Sequence, residues 1–248
     1  MDDQGALFWL AALVAALLVG LSKGGLPLVG MLGTPILALV LPATTAAGLL
    51  LPVFVVSDIF GLYAYRRHYS TRNLMILIPA ATIGVALGWG TASLVSERLV
   101  TALVGLIGLV FSLNLLLRRG PEPVARPANI APGLFWGAIA GFTSFVSHAG
   151  APPYQVYVLP QRMDKAVFAG TSTILFAYVN AIKLIPYYAL GQLSPDNLRV
   201  AAVLLIPAAL AVFAGVWLVR VMPQKLFFQL VSWALLAVSV KLLWDAAA

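Results

Sequence analysis

The stretch "GLSKGGLPLVG" (residues 20–30) interrupts an otherwise apolar part of the chain with a lysine and two adjacent glycines. Pro27 suits the first turn of a new helix, so one helix is predicted to end before the glycines and another to start after them. A restarted helix presents unpaired backbone N–H groups and a positive dipole end, which together favour a bound anion. The break therefore predicts an anion-binding site. Its candidate ligands are Ser22, Lys23, Gly24 and Gly25.

The composition on both sides of this stretch is that of a membrane protein. Of the 248 residues, 62% are hydrophobic and 9% are charged, against roughly 45–50% apolar and about 25% charged residues in soluble domains. The acidic start "MDDQGALFWL" lacks the basic region and cleavage site of a signal peptide and is interpreted as a retained first span. The chain has no cysteine, which excludes disulfides and cysteine metal sites.

Ten apolar segments follow one another along the chain, many of them near the ~20 residues that a helix needs to cross a bilayer. They cover residues 6–21, 27–41, 44–64, 73–92, 98–117, 131–147, 150–160, 166–189, 198–218 and 225–243. The second and seventh segments are short for full crossings and are predicted to be half-helices or re-entrant pieces. The sequence thus predicts an all-α polytopic membrane protein with broken or re-entrant helices.

The net charge of +7 is concentrated in alternate loops. If the N-terminus faces outward, the inward loops hold most of the basic residues, which is the positive-inside signature. Both termini are then predicted to be extracytoplasmic, and the basic charge indicates membrane topology rather than nucleic-acid binding. The inward basic residues are Lys23, Arg66, Arg67, Arg72, Arg118, Arg119, Arg126, Arg162, Lys165, Arg220 and Lys225, and the outward ones are Arg98, Arg199 and Lys241.

The two halves of the chain are weakly similar to each other. Setting residue 47 against residue 169 gives the matched pairs Ala47 and Ala169, Gly48 and Gly170, Phe54 and Phe176, Leu62 and Leu184, and Tyr65 and Tyr187, with Asp58 opposite Asn180. Each half then holds five segments, an odd number, so the second half would be inserted upside down relative to the first. Inverted repeats are typical of secondary transporters, whose sites lie near the midplane at the repeat interface. Coincidence is the alternative, because the identities are sparse.

A basic, proline-rich stretch separates the two halves. Its density of proline disfavours helix and sheet, so a cytoplasmic connector is predicted there. The predicted organisation is a first transmembrane repeat at 1–117, a linker at 118–131 and a second transmembrane repeat at 132–248.

The second half contains a break at a place that matches the first. The stretch "SFVSHAGAPPYQ" (residues 144–155) again puts polar and small residues before two prolines, and "GAPP" lies opposite "GGLP" of the first half. Two breaks at matching places favour a shared anion site over the alternative, in which Lys23 only snorkels from a tight hairpin to the cytoplasmic face. The candidate ligands from the second break are Ser147, His148 and Gly150, although a lone histidine at such a place is also a common structural donor.

Three further polar residues lie within apolar segments. Burial favours the neutral form of a carboxyl group, so Asp58 is a candidate for proton coupling, or else it pairs with a lysine. Asn180 and Lys183 lie three residues apart on one helical face and are second-tier ligands of the anion. The alternatives are interhelical hydrogen bonding for Asp58 and Asn180 and contact with the outer interface for Lys183.

Four other polar residues are interpreted as packing or backbone-bonding groups, although they could line a polar cavity: Thr34, Tyr154, Gln155 and Thr171. Asp58 is the one carboxylate deep in any segment, and no serine–histidine pairing or metal-ligand spacing stands out. The sequence therefore predicts neither an enzyme nor a metal or cofactor site.

These residues together resemble the sulfite exporter TauE/SafE family of anion transporters, also called the TSUP family. The similarity runs over nearly the whole length and includes "GLSKGG", "TTAAGLLLPVFVVSDIFGLYAYRRH" and "AGTSTILFAYVNAIKLIPY". The family's first glycine-rich motif corresponds to Gly20, Lys23, Gly24 and Gly25, whereas "SHAGAPP" is poorer in glycine than the second break of many relatives.

The resemblance implies a secondary transporter that exports sulfite, sulfonates or related small organic anions without ATP. It also implies residence in a lipid bilayer, the bacterial inner membrane, and a homodimer is possible. Alternatives are an importer or channel for another solute, such as a carboxylate or a cation, and a purely structural subunit of a membrane assembly. The latter would not explain two matched helix breaks.

Overall fold

The computed structural model describes residues 5–92, 94, 96–117 and 124–247. Within these ranges the α-helices are α1 (Ala6–Lys23), α2 (Gly33–Ala38), α3 (Ala43–Tyr65), α4 (Thr71–Gly90), α5 (Glu97–Leu117), α6 (Ile130–Ser147), α7 (Ala151–Val158), α8 (Lys165–Ala189), α9 (Pro195–Val221) and α10 (Gln224–Ala247). Short 3-10 turns cover Val29–Leu32 before α2 and Leu159–Gln161 after α7. The described part of the chain holds no strand, so the all-α prediction is confirmed.

Eight of the described helices are long and apolar enough to cross a membrane. They are all of the ten except α2 and α7, which have 6 and 8 residues. These two short helices correspond to the second and seventh apolar segments, whose shortness the sequence predicts. The protein is a multi-pass helical membrane protein.

Helices α4, α8 and α9 each begin after a residue whose side chain caps the helix. The Ser70 hydroxyl accepts a hydrogen bond from the Asn73 amide at the start of α4. The Asp164 carboxylate accepts one from the Ala166 amide at the start of α8. Each of these acceptors satisfies a backbone N–H group that the helix itself leaves unpaired.

Two helix breaks each form a hairpin between a long helix and a short one. After α1, Gly25 adopts a φ of 112°, and the chain turns back through the 3-10 turn into α2. After α6, His148 adopts a left-handed φ of 54°, and the chain turns back into α7. A φ of this sign is easy for glycine but uncommon for a side-chain-bearing residue. The region around His148 must therefore be held by surrounding contacts.

The two halves of the chain interlock rather than lie side by side. Helix α1 packs along α9 and α6 packs along α4, while α3 contacts α8 and α5 contacts α10. Glycines permit close approach of the backbones at these crossings, as two of them illustrate. A Cβ on Gly20 would overlap the Ala208 carbonyl oxygen, and a Cβ on Gly141 would overlap the Ala81 carbonyl oxygen. Small residues at such crossings are typical of packed membrane helices.

One end of the helix bundle collects basic residues, and we call it the basic end. It is defined by Arg66, Arg67, Arg72, Arg126, Arg162, Lys165, Arg220 and Lys225. Hydrogen bonds join its loops: the Arg72 guanidinium donates to the Ala128 carbonyl, and the Lys165 ammonium donates to the Arg220 carbonyl. Of the predicted linker 118–131, residues 118–123 lie outside the described residues. Residues 124–129 are not helical, and α6 begins at Ile130.

Candidate functional site

A small cavity lies between the two helix breaks, and we call it the central cavity. Its volume is about 40 Å³, far below the ~300–1,000 Å³ of pockets for drug-sized ligands, so its size suits a small ion or a few waters. The wall is formed by Ser22, Lys23, Pro27, Gly30, Met31, Phe54, Ser144, His148, Ala151, Ser172, Thr173, Phe176 and Asn180. Residues from both halves of the chain therefore meet there.

The end of α1, residues 22–25, forms one side of the site and is called the α1 tip. Its Lys23 ammonium lies 2.8 Å from a carboxylate oxygen of Asp58 on α3. The other carboxylate oxygen accepts a hydrogen bond of 2.8 Å from the Asn180 amide on α8. Lys23 and Asp58 are 4% and 3% exposed, so Lys23 does not snorkel to a surface. The α1 tip thus holds a buried ion pair bridged to the second half.

The end of α6, residues 144–150, forms the opposite side and is called the α6 tip. Here Lys183 reaches in from α8 with no exposure at all. Its ammonium lies 2.9 Å from the Ser144 carbonyl oxygen, 3.4 Å from the Ser144 hydroxyl and 3.2 Å from Nδ1 of His148. Lys183 therefore does not contact an outer interface. Among the described residues, no carboxylate lies within ion-pair distance of it.

The contacts around His148 assign its tautomer. With Lys183 as an ammonium group, which only donates hydrogen bonds, Nδ1 of His148 accepts from it and Nε2 carries the proton. This Nε2–H faces the Tyr187 hydroxyl oxygen at 2.9 Å, and that hydroxyl is 3.4 Å from the Phe145 carbonyl oxygen. The imidazole is neutral in this arrangement. The histidine therefore adds no charge to this side of the cavity, and Lys183 is the residue that supplies the positive charge there.

Most backbone N–H and C=O groups described at the two tips already make hydrogen bonds within the protein. The amides of Gly24 and Gly25 bond to the carbonyl oxygens of Gly20 and Ser22, which closes the C-terminus of α1. The Tyr65 hydroxyl donates to the Gly24 carbonyl oxygen at 2.6 Å, and Thr173 donates to that of Lys23 at 3.4 Å. The two glycine amides are thus engaged within the tip in this conformation. The site depends on side chains, not on those amides.

The α7 N-terminus offers few backbone donors. Two of its first three residues, Pro152 and Pro153, have no N–H group. Gly150 is packed closely, since a Cβ there would lie 2.7 Å from the Ala140 carbonyl oxygen. The hydroxyl of Ser147 donates to the Thr143 carbonyl oxygen and is not part of the cavity wall. Of the second break's candidates, His148 is the one that lines the cavity.

Some wall residues were not singled out from the sequence. Ser144, Ser172 and Thr173 are buried hydroxyl residues, and Phe54 packs against both tips. Its ring lies 5.0 Å from the Lys23 ammonium and is stacked on the His148 imidazole at 5.7 Å with 12° between the planes. The polar run of residues 171–173 inside an apolar helix is a signal that could have indicated this wall.

Gln155 is buried without a partner for its side chain. It has no exposed surface, and neither its amide nitrogen nor its amide oxygen has a hydrogen-bond partner within the described ranges. It follows Ala151, a wall residue, by four positions and so lies on the same face of α7. By contrast, Tyr154 and Thr171 bond to the backbone, as the sequence interpretation has them: their hydroxyls donate to the Phe168 and Val167 carbonyl oxygens.

No group of three or more metal-ligating residues occurs in the part of the chain that the structure describes. The buried charged side chains there are Lys23, Asp58 and Lys183. With these side chains in their usual ionised forms, two positive charges and one negative charge surround the central cavity. This excess attracts an anion and repels a cation.

Comparison with known protein families identifies a matching family. The sequence profile of the family described as Sulfite exporter TauE/SafE matches residues 9–242, which is nearly the whole chain. No curated protein sequence and no solved structure matches the chain significantly.

Proposed function

Because the chain belongs to the sulfite exporter TauE/SafE family, a family of membrane transporters, we propose that it exports small sulfur oxyanions, such as sulfite and organosulfonates, through the central cavity. The observation that carries this proposal is the excess of positive charge at the cavity. Lys183 is fully buried, and no described carboxylate pairs with it. A lysine in that position is costly in a membrane unless it serves a ligand or a pathway.

A cation transporter is disfavoured by the state of Asp58. Both of its oxygens are engaged, one by the Lys23 ammonium and the other by the Asn180 amide. A metal cation or ammonium would have to displace Lys23 and would meet Lys183 nearby. Small carboxylates are the competing substrate class, because they carry the same negative charge as the sulfur oxyanions.

We propose that the two halves form inverted repeats. Three matched pairs from the sequence lie at or beside the central cavity: Phe54 and Phe176, Asp58 and Asn180, and Tyr65 and Tyr187. The helix contacts support the same relation, since α1 against α9 corresponds to α6 against α4 when the halves are exchanged. A site between inverted repeats permits alternating access by rocking one repeat against the other.

We place the basic end in the cytoplasm of the bacterial inner membrane, with both chain termini on the other side. A negative interior potential then drives anion export by about 2.3 kcal/mol per charge per 100 mV. Export therefore needs no ATP and no second ion. Proton coupling through Asp58 stays a separate prediction, which an unchanged pH dependence of export in Asp58→Asn would contradict. A homodimer is a further prediction.

The test is anion efflux from liposomes that contain the purified protein. Sulfite, methanesulfonate and acetate are loaded inside, a negative interior potential is imposed, and efflux is compared between wild type and Lys183→Met. We expect the sulfur oxyanions to leave faster than acetate, and Lys183→Met to slow their efflux by about tenfold or more, because the cavity loses its excess charge. The matched control is Lys241→Met, which removes an exposed lysine that pairs with Asp245.

Lys183→Met also removes the free-energy cost of burying a charge, so the variant is expected to fold, and its thermal unfolding temperature verifies this. Faster efflux of acetate than of both sulfur oxyanions would replace the proposed substrate class. Equal efflux from wild type and Lys183→Met would contradict the proposed site.

A further inference from the structure

We propose that the central cavity selects its substrate by valence and takes monoanions, such as hydrogensulfite and alkanesulfonates, in preference to dianions such as sulfate. The inference rests on the proposed function and specifies its substrate class. It is carried by the number and the pairing of the charges at the cavity.

The three buried charges form one connected cluster. Lys23 and Asp58 are in contact at 2.8 Å, and Asn180 links Asp58 to α8. Lys183 follows Asn180 by three residues on that helix and bonds to Ser144 and His148, both of which are in the cavity wall. Every charge of the cluster is thus either in the wall or bonded to a wall residue.

The charge of this cluster is +1. Lys23 and Asp58 cancel, His148 is held in its neutral form by Lys183 and Tyr187, and Lys183 remains. The basic residues of the loops lie at the basic end, where solvent screens them. Inside the bilayer this screening is much weaker, so the charge of the cluster acts more strongly on a bound ion.

A monoanion brings the occupied site to neutrality. A dianion would leave an excess charge of −1 in the low-dielectric interior, and the free energy needed to remove it from water is also greater. The small volume of the cavity, about 40 Å³, leaves little space for accompanying cations or a full hydration shell. Charge and size together therefore favour a compact monoanion.

Asp58 is the residue that sets this valence. Its substitution by asparagine would raise the charge of the cluster to +2 and leave Lys23 unpaired. The structure also supplies a matched exchange, because Asn180 contacts Asp58 directly at 2.8 Å. Exchanging the two residues moves the carboxylate across one hydrogen bond and keeps the charge of the cluster at +1.

The experiment measures the equilibrium affinity of the full-length, purified chain for two probes of fixed charge, methanesulfonate and sulfate. We expect wild type to bind methanesulfonate more tightly than sulfate by about tenfold or more. In Asp58→Asn this ratio is expected to fall by about tenfold. The opposite single variant, Asn180→Asp, brings the cluster to zero and is expected to weaken the binding of both probes.

The exchange variant Asp58→Asn/Asn180→Asp controls for folding and for local geometry. It is expected to return the ratio of affinities to within about threefold of wild type, because the charge count is restored. An unchanged ratio in Asp58→Asn would overturn the inference, as would a wild-type preference for sulfate or an exchange variant that behaves like Asp58→Asn. If wild type binds and exports sulfur oxyanions and Asp58→Asn has the same ratio of affinities, only the valence selection is refuted. A wild-type protein that binds neither probe nor sulfite refutes the proposed function.

Discussion

The α1 tip and the α6 tip have similar backbone plans but different chemistry. Each ends a long helix with a positive φ next to the central cavity, and each has its terminal carbonyl oxygens bonded by side chains of other helices. At the α1 tip, a lysine of the tip itself pairs with a carboxylate from α3. At the α6 tip, a histidine of the tip contacts a lysine from α8. One tip is neutral and the other is positive.

The difference in charge between the two tips follows from the residues at aligned positions of α3 and α8. The offset that aligns Asp58 with Asn180 also aligns Gly61 with Lys183. A Cβ on Gly61 would lie 2.7 Å from the Lys23 carbonyl oxygen, so α3 and the α1 tip are in backbone contact. On the other side, the long side chain of Lys183 spans the corresponding gap to the Ser144 carbonyl. The aligned positions therefore carry a glycine in close backbone contact in α3 and a lysine in α8.

The largest effect is expected from Gly61→Leu, which would destroy the close contact at the α1 tip. Overpacking against a backbone carbonyl is expected to lower the free energy of unfolding by about 3 kcal/mol. Thermal unfolding in detergent measures the loss, with Gly90→Leu as the control, since nothing lies within 4 Å of a Cβ at Gly90. Equal stability of the two variants would mean that α3 and the α1 tip are not tightly packed.

An intermediate effect is expected from the two matched tyrosines. Tyr65→Phe removes the hydrogen bond to the Gly24 carbonyl and should cost about 1 kcal/mol of stability without a change in anion affinity. Tyr187→Phe removes the group that faces Nε2 of His148, a wall residue, and should also weaken methanesulfonate binding by about three- to tenfold. The two readouts are thermal unfolding and equilibrium binding. The same loss of affinity in both variants would show that the tips are functionally equivalent.

The smallest effect is expected from Gln155→Met on α7. The variant removes a buried amide that has no partner among the described residues, so stability should rise by about 1 kcal/mol. Export should slow by about threefold, because the amide lies one turn from the cavity wall and can bond to a passing anion. Val156→Met, at a neighbouring position that faces a crevice against α5, serves as the control. Export at the wild-type rate would assign Gln155 to packing alone.

The fold was largely predictable because its signals are local. Eight apolar stretches of spanning length, two short ones, and glycine or proline at each break are all visible in the sequence without any contact map. Membrane helices need internally satisfied backbones, so hydropathy and helix breakers determine most of the architecture. The breaks at Lys23 and His148 were located in this way.

The site was only partly predictable, because its contacts join distant parts of the chain. The ion pair of Lys23 and Asp58 and the contact of Lys183 with His148 each link two different helices. The sequence suggests that the amides of Gly24 and Gly25 face a ligand, whereas in the structure they bond to the preceding turn of α1. Which groups of a break stay unpaired depends on the closing geometry of the turn, which composition does not determine.

Phe54 gives the two tips a shared support. Its ring lies under the Lys23 ammonium on one side and is stacked on His148 on the other. Because one phenyl ring contacts both tips, a turn of that ring would change the surroundings of Lys23 and of His148 at the same time.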